Sequence, residues 1–286
     1  MAVIPAKFMN AIVAIGIAVQ NGSKHWIGTG FIVGRRETGN SDMLTYYIIT
    51  NKHVVYNHLQ IYIRFNSLGE SFVKDYPVQL LDSFGHKLFS EHPNPSTDII
   101  ALQIAPQTLI NDKSIWGAFI LDIHSLTLDQ MQRTGMSEGD LVYALGFPMN
   151  IVDIIKTPIC RLGCISRVMD AFVKKNQFPE FLVDAQTFPG NSGGPIVSRP
   201  ELISVNGTLN NPNAYLIGIL SAYIPYQDTL YSSQTGKMRM LQEENSGLTV
   251  VHPVDRIKEV VDLEWERMER QTRGNIAGAP VPHKAI

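Results

Sequence analysis

Asp184-Ala185-Gln186-Thr187-Phe188-Pro189-Gly190-Asn191-Ser192-Gly193-Gly194-Pro195 is the most informative stretch of this 286-residue chain. A serine set among glycines lets the backbone turn sharply and exposes the hydroxyl. It also leaves the N–H groups of Gly190 and Ser192 free to face a developing oxyanion. Taken alone, Gly-x-Ser-x-Gly reads first as a glycine-rich surface turn, because short motifs recur by chance.

The residues after the serine narrow the choice. A nucleophile elbow of the α/β-hydrolase kind needs a helix directly after the serine, with acid and histidine later in the chain. Here Pro195 stands three residues past Ser192, and Ile196-Val197 continue as a strand. Downstream, the histidines are His252, at the entrance of a helix, and His283, in a tail. The elbow reading fails on this context.

Upstream, His53 follows the strand Tyr46-Tyr47-Ile48-Ile49-Thr50 and the turn Asn51-Lys52. A histidine at a strand end is well placed to act as a base, although any one histidine taken singly reads as an ordinary turn residue. Asp98 opens the apolar strand Ile99-Ile100-Ala101-Leu102, where an acid alone is a routine strand-leading residue. The order His, Asp, Ser, with the first two in one half and the third in the other, fits a triad assembled across two units.

Composition agrees with a globular protein. Hydrophobic residues make up 44%, and 24 basic side chains against 26 acidic ones give a net charge of −2. Nucleic acid is not expected as a partner at this balance. At roughly 150 residues per domain the length accommodates two units or one large all-β domain. Cys160 and Cys164 are the only cysteines, too few for a disulfide scaffold or a zinc site, so a reducing, cytoplasmic setting is expected. The apolar run Ala11 to Val19 is nine residues long, where a bilayer span needs about 20, so no membrane association is expected. It reads as a first strand.

Short β-branched runs bounded by turns recur at Ile12 to Val19, Gly30 to Val33, Tyr46 to Thr50, Gln60 to Phe65, Ile99 to Ile104, Leu141 to Leu145 and Leu216 to Leu220. They point to an all-β fold. Leu126 to Arg133 can make two helical turns within a connection between the halves. Val254, Ile257, Val260, Val261, Trp265 and Met268 repeat at helical spacing after Pro253, so a terminal amphipathic helix is expected to about Gln271, then a loose tail.

At this point the sequence resembles the trypsin-like serine peptidases of the chymotrypsin fold, and within them the protease domain of the bacterial HtrA type. Gly28-Thr29-Gly30-Phe31-Ile32-Val33 is similar to the family's Gly-Ser-Gly-Phe strand, and Thr50-Asn51-Lys52-His53-Val54-Val55 to its histidine motif. Asp98 to Leu102, Gly139 to Pro148, Gly163 to Ser166, Asp184 to Pro195, Leu216 to Ala222 and Gly247 to Pro253 continue the likeness in order. The resemblance implies two six-stranded antiparallel β-barrels with a C-terminal helix. Residues 1–112 would form the first barrel, 113–138 the connection, 139–253 the second barrel, 254–271 the helix and 272–286 a flexible tail.

Carried over position by position, the resemblance implies Ser192 as nucleophile, His53 as general base and then acid, and Asp98 as the group that orients the imidazole. Gly190 and Ser192 would supply the oxyanion hole. No metal or organic cofactor is implied. Protein or peptide is the expected substrate, cleaved through an acyl-enzyme. Two alternatives stand beside it: a catalytically silent binding or scaffold protein on the same fold, and an esterase-like acyl hydrolase with the same triad.

The departures are informative. Asn191 stands where secreted trypsins carry the acid that pairs with a released N-terminal amine, so that activation route is not expected. No PDZ domain is expected after the helix, so a regulator, such as an activating partner protein, would act on the protease body. The pocket base falls on Gln186, with Thr187, Phe188, Ser221, Ala222, Tyr223, Gly247 and Thr249 around it. Without a carboxylate at the base, a small or medium uncharged residue is expected before the scissile bond. Ile224 to Ser246 is read as a long functional loop. Cys160 and Cys164 are expected as buried thiols. His58, His86, His92 and His124 are assigned no role, and Trp26, Trp116 and Trp265 are assigned to packing.

Overall fold

A computed structural model describes residues 3–20, 22–37, 40–69, 71–152, 156–173, 180–201 and 211–276. In chain order these form α1 (Ala6–Ala11), β1 (Ile12–Ala18), β2 (Lys24–Glu37), β3 (Asn40–Thr50), α2 (Lys52–Val55), β4 (Gln60–Ser67) and β5 (Val73–Gln79). Next come β6 (Ser90–Glu91), β7 (Ile100–Ile104), α3 (Pro106–Asn111), β8 (Ser114–Ile115), β9 (Phe119–Ile120) and α4 (Leu128–Arg133). The second half contains β10 (Leu141–Gly146), β11 (Ile159–Arg167), α5 (Met169–Val173), β12 (Phe181–Asp184), β13 (Pro195–Ser198), β14 (Leu216–Tyr231), β15 (Met238–Pro253) and α6 (Val254–Ile276).

The second half closes into a six-stranded barrel in the order β10-β11-β12-β15-β14-β13, with every pairing antiparallel. The first half is a nine-stranded sheet ordered β5-β4-β1-β2-β3-β7-β6, with β8 on β4 and β9 on β2. It thus carries more strands than the six expected, and its hydrogen-bonded path does not close among the described residues. Two of the three additional pieces, β8 and β9, come from the stretch expected as a mere connection. Extended backbone there satisfies its N–H and C=O groups by pairing with neighbouring strands.

Side-chain alternation explains the packing. In β4, Ile61, Ile63 and Phe65 are buried every second residue. In β1 the buried run Ile12 to Gly16 is unbroken because both faces are covered. Val13 and Ile15 face the first sheet's own core with Ile63, Phe65 and Leu102. Ile12 and Ala14 face a second core shared with the other half, where Phe147, Val197 and Ile219 meet Val254, Ile257, Val260 and Val261 of α6. The apolar stretch near the start is therefore a strand between two cores.

The helices obey their local signals. Thr127 and Gln130 form a reciprocal capping box at the start of α4. α6 runs to Ile276, past the expected end at Gln271, its last turns carrying the pairs Glu266–Arg270 and Glu269–Arg273. The remainder of the expected tail, 277–286, lies outside the described residues. No helix among the described residues is long and apolar enough to cross a membrane.

Two expectations are corrected. Ile224 to Ser246 is no irregular loop: β14 and β15 continue through it as a two-stranded arm. The cysteines are free, but Cys160 is exposed and Cys164 only half-buried. β11 pairs with β12 from Cys164 onward, so its first residues project past the end of that neighbour and remain uncovered.

Candidate active site

His53 sits on the single turn α2, whose Val54 and Val55 are buried in the first core and so turn the imidazole outward, about half exposed. Asp98 lies just before β7. Its carboxylate meets His53 twice: Oδ2 contacts Nδ1, and Oδ1 accepts the His53 backbone N–H at 3.2 Å. Asn51 Nδ2 donates to the Asp98 carbonyl at 2.6 Å. An ionised carboxylate only accepts, so Nδ1 carries the proton and Nε2 presents its lone pair.

Behind Asp98 lie two histidines that carry no role in the sequence motifs. His252, at the end of β15 and 1% exposed, accepts the Asp98 backbone N–H on Nε2 at 3.1 Å. Its Nδ1 lies 3.3 Å from a Glu180 carboxylate oxygen without hydrogen-bond geometry. Burial lowers the His252 pKa to about 4, against the opposing charge of Asp98, and burial raises that of Glu180. His92 is buried and pairs with Glu259 on α6 at 2.6 Å, while its carbonyl accepts from Lys52 Nζ at 2.9 Å. The one sequence signal for His252 was its place within the matched segment Gly247 to Pro253. His92 carried none.

The serine segment is two consecutive tight turns. Asn191 N donates to Phe188 O at 3.0 Å around Pro189-Gly190, and Gly194 N donates to Asn191 O at 2.9 Å around Ser192-Gly193. Gly190 has φ 98° and Gly193 φ 84°, the type II signature at the third position, which glycine alone adopts without strain. A Cβ on Gly193 would also lie 2.1 Å from Thr29 O and 2.4 Å from Thr50 Oγ1.

Those contacts mark how the halves are joined. Thr29 N donates to Ser192 O at 3.0 Å, and Thr29 Oγ1 donates to Gly190 O at 2.6 Å while accepting Phe147 N at 3.0 Å. Thr50 Oγ1 donates to Thr29 O at 2.7 Å, three residues before His53. Met149 N holds Pro189 O at 2.6 Å. The hydroxyl of Thr29, fully buried, thus ties the serine turns to the strands that carry His53.

The structure brings His53 and Asp98 into direct contact and sets the half-buried Ser192 against the same strands. Among the described residues Ser192 Oγ makes no hydrogen bond with His53, and the amides of Gly190 and Ser192 have no acceptor. Free catalytic sites often close this contact only with substrate in place. Asn191 is buried, and its Nδ2 has no hydrogen-bond partner among the described residues.

Around the expected pocket, Thr187 and Thr249 are buried and share a 2.7 Å hydrogen bond between their hydroxyls. Gln186 is exposed, Phe188 is half-buried with the Arg161 guanidinium 5.0 Å above its ring, and Ala185 N donates to Gly247 O at 3.1 Å. Ser221 is buried, Ala222 exposed and Tyr223 half-buried on β14. A Cβ at Gly247 would lie 3.2 Å from Asp184 Oδ1, which sets the carboxylate that opens the serine segment beside Gly247. Among the described residues no group of three His, Cys, Asp or Glu side chains could hold a metal ion.

Comparison with known proteins places this geometry in context. Residues 28–201 match the model of the trypsin-like peptidase domain. No curated protein sequence matches the chain. Among solved structures it is similar to the MamO protease domain from Magnetospirillum magneticum in its apo form, with 16% identity over 88% of this chain and 95% of that one, at a TM-score of 0.44. It is also similar to the active form of the Rv3671c protease from M. tuberculosis, with 14% identity over 92% and 90% of the two chains and a TM-score of 0.44. An inactive serine-to-alanine mutant of Rv3671c from M. tuberculosis H37Rv gives 14% identity over 97% and 92%, at 0.45.

Proposed function

The chain belongs to the trypsin-like peptidase domain family, and from that premise we propose that it is a serine endopeptidase. Ser192 Oγ attacks a peptide carbonyl, His53 Nε2 takes its proton, and the Asp98 carboxylate stabilises the imidazolium that forms. The Gly190 and Ser192 amides hold the oxyanion. Each such donor contributes about 3 kcal/mol to the transition state. His53 then protonates the leaving amine, and water, activated by the same imidazole, releases the acyl group.

The observation that carries this reading is the double engagement of His53 by Asp98, through Nδ1 and through the backbone N–H. That pairing selects the tautomer whose Nε2 can accept a proton. The two type II turns support it by leaving both oxyanion amides without a competing acceptor among the described residues. No carboxylate is contributed by Gln186, which supports an uncharged residue before the scissile bond, and the resemblance to the HtrA type supports regulation by a partner protein acting on the protease body. The two free thiols fit a reducing compartment.

The open Ser192–His53 contact is the one feature that favours the silent-scaffold alternative. A fluorophosphonate probe separates the two. Labelling of the wild-type protein that disappears in Ser192→Ala supports the peptidase. Absence of labelling with and without peptide substrate, and with candidate activating partner proteins added, overturns it.

A further inference from the structure

The arm made by β14 and β15 beyond Tyr223 is the largest feature that the triad chemistry leaves unused. The last pairing of β14 with β13 is Pro195↔Ile219, whereas its pairing with β15 continues to Tyr231↔Met238. Beyond Leu220 the outer edge of β14 has no neighbour among the described residues. Pro225 stands on it, as a residue tolerated at sheet edges does. An isolated two-stranded ribbon is marginal in water, and long uncovered edges are usually blunted. Apart from Pro225, this one exposes apolar side chains, Leu230, Tyr231, Met238, Met240 and Leu241 toward its tip, spread over both faces.

We propose that this edge is a docking strand for the segment of a polypeptide substrate N-terminal to the scissile bond, resting on the endopeptidase reading above. A chain that pairs with Ser221 to Tyr223 on its way to Ser192 runs directly onto the same edge of β14. From Tyr223 to Tyr231 the edge extends for about 26 Å at ~3.3 Å per residue, room for about eight further substrate residues.

The side chains indicate the chemistry of that segment. Asp228, Glu243 and Glu244 lie on the middle of the arm and hydrogen-bond only neutral groups there: Tyr226 OH to Asp228 at 3.3 Å, Gln227 to Glu243 at 2.6 Å and Gln242 to Glu244 at 2.9 Å. None of the three forms an ion pair among the described residues. Asp228 on β14, backed by Glu243 and Glu244 one strand behind on β15, therefore suits a basic stretch nearest the pocket, and the apolar side chains that flank Lys237 and Arg239 at the tip suit apolar residues beyond it. Asp228 also disfavours a second copy of this chain, since a two-fold pairing of β14 edges centred on it would bring like charges together. The base of the arm is anchored at the pocket: Asn245 Nδ2 donates to Thr187 O at 2.5 Å, and Ser246 Oγ to Ile224 O at 2.5 Å.

Quenched fluorescent peptides sharing one cleavable core test this. One carries the core alone, one adds about eight residues, basic then apolar, on the N-terminal side, and one adds an acidic extension of equal length. The basic-apolar extension is expected to raise kcat/KM about tenfold, and the acidic one to leave it unchanged. Joining Tyr226 to Glu244 by an Asn-Gly turn, or the milder Leu230→Ser with Met240→Ser, should abolish the gain while core cleavage stays at the wild-type rate. Equal rates for core and extended peptides, or a gain that survives loss of the arm, would overturn the proposal. So would an arm-dependent dimer in sedimentation without any length effect. Fluorescence anisotropy of the labelled extended peptide on Ser192→Ala protein reads docking without catalysis. If no peptide is cleaved, arm-dependent binding there still upholds the docking strand, and its absence removes it.

Discussion

Across 154 positions of sequence, the backbone N–H of Asp98 donates to Nε2 of His252 at 3.1 Å. The bond crosses from the first sheet to the barrel, and it anchors the residue that orients His53. His252→Phe leaves a buried N–H unsatisfied, which costs about 1–3 kcal/mol. We expect urea unfolding to reveal that loss, and peptide hydrolysis to fall about tenfold in kcat with KM nearly unchanged. His252→Gln, which keeps an acceptor, should recover part of kcat. An unchanged kcat in the phenylalanine variant would remove the positioning role.

The same imidazole makes the fold acid-sensitive. Its folded pKa of about 4 lies below its ordinary value of about 6.5, so the unfolded chain binds the proton more readily. This group leaves stability undiminished above pH 6.5 and lowers it as pH falls toward 4, by at most about 3 kcal/mol. Thermal melts across that window should show a smaller slope in His252→Gln than in wild type.

Lys156 predicts the opposite end of the pH scale. It is 2% exposed, with Nζ bonded to Ile12 O and 5.8 Å from the Phe65 ring, and burial lowers its pKa to about 7. Its unfolded value is about 10.4, so the folded state gains stability as pH rises from about 7 to about 10. Lys156→Met should flatten that rise and stabilise the protein at pH 7 by about 1–3 kcal/mol. Chemical denaturation at pH 7 and 9 measures both effects.

Glu264 is 0% exposed on α6, paired with Arg267 at 2.7 Å and accepting Ser90 Oγ at 2.8 Å. Glu264→Ala strands the partly buried Arg267 and should cost about 3–5 kcal/mol. A loss under 1 kcal/mol by equilibrium unfolding, about the value of a surface pair, would show that the helix is held by its apolar face alone.

Gly193→Ala puts a methyl group 2.1 Å from Thr29 O at φ 84°. The serine turns must then move away from β2. Probe labelling of Ser192 is expected to be lost even where circular dichroism still reports a folded chain. Full labelling would mean that the turns tolerate displacement.

Much of this molecule was written locally. The alternation in Gln60 to Phe65, the helical spacing from Val254 to Trp265, and the glycines around Ser192 each specify a conformation through short-range sterics and periodicity, which are properties of neighbouring residues. His53, Asp98 and Ser192 could be named because each sits in such a local motif, in an order that fits a triad. The arm was visible only as excess length between two strands. Nothing in Ile224 to Ser246 separates a loop from a ribbon except the pairing partner across the turn. His252 and Lys156 show the other kind of information. A histidine before a proline and a lysine among threonine and isoleucine look solvated in the chain, yet burial against residues far away in sequence sets their protonation and their use. Desolvation and the hydrogen bond from Asp98 arise where distant segments meet, and the packing of the two halves around Thr29 and α6 created them.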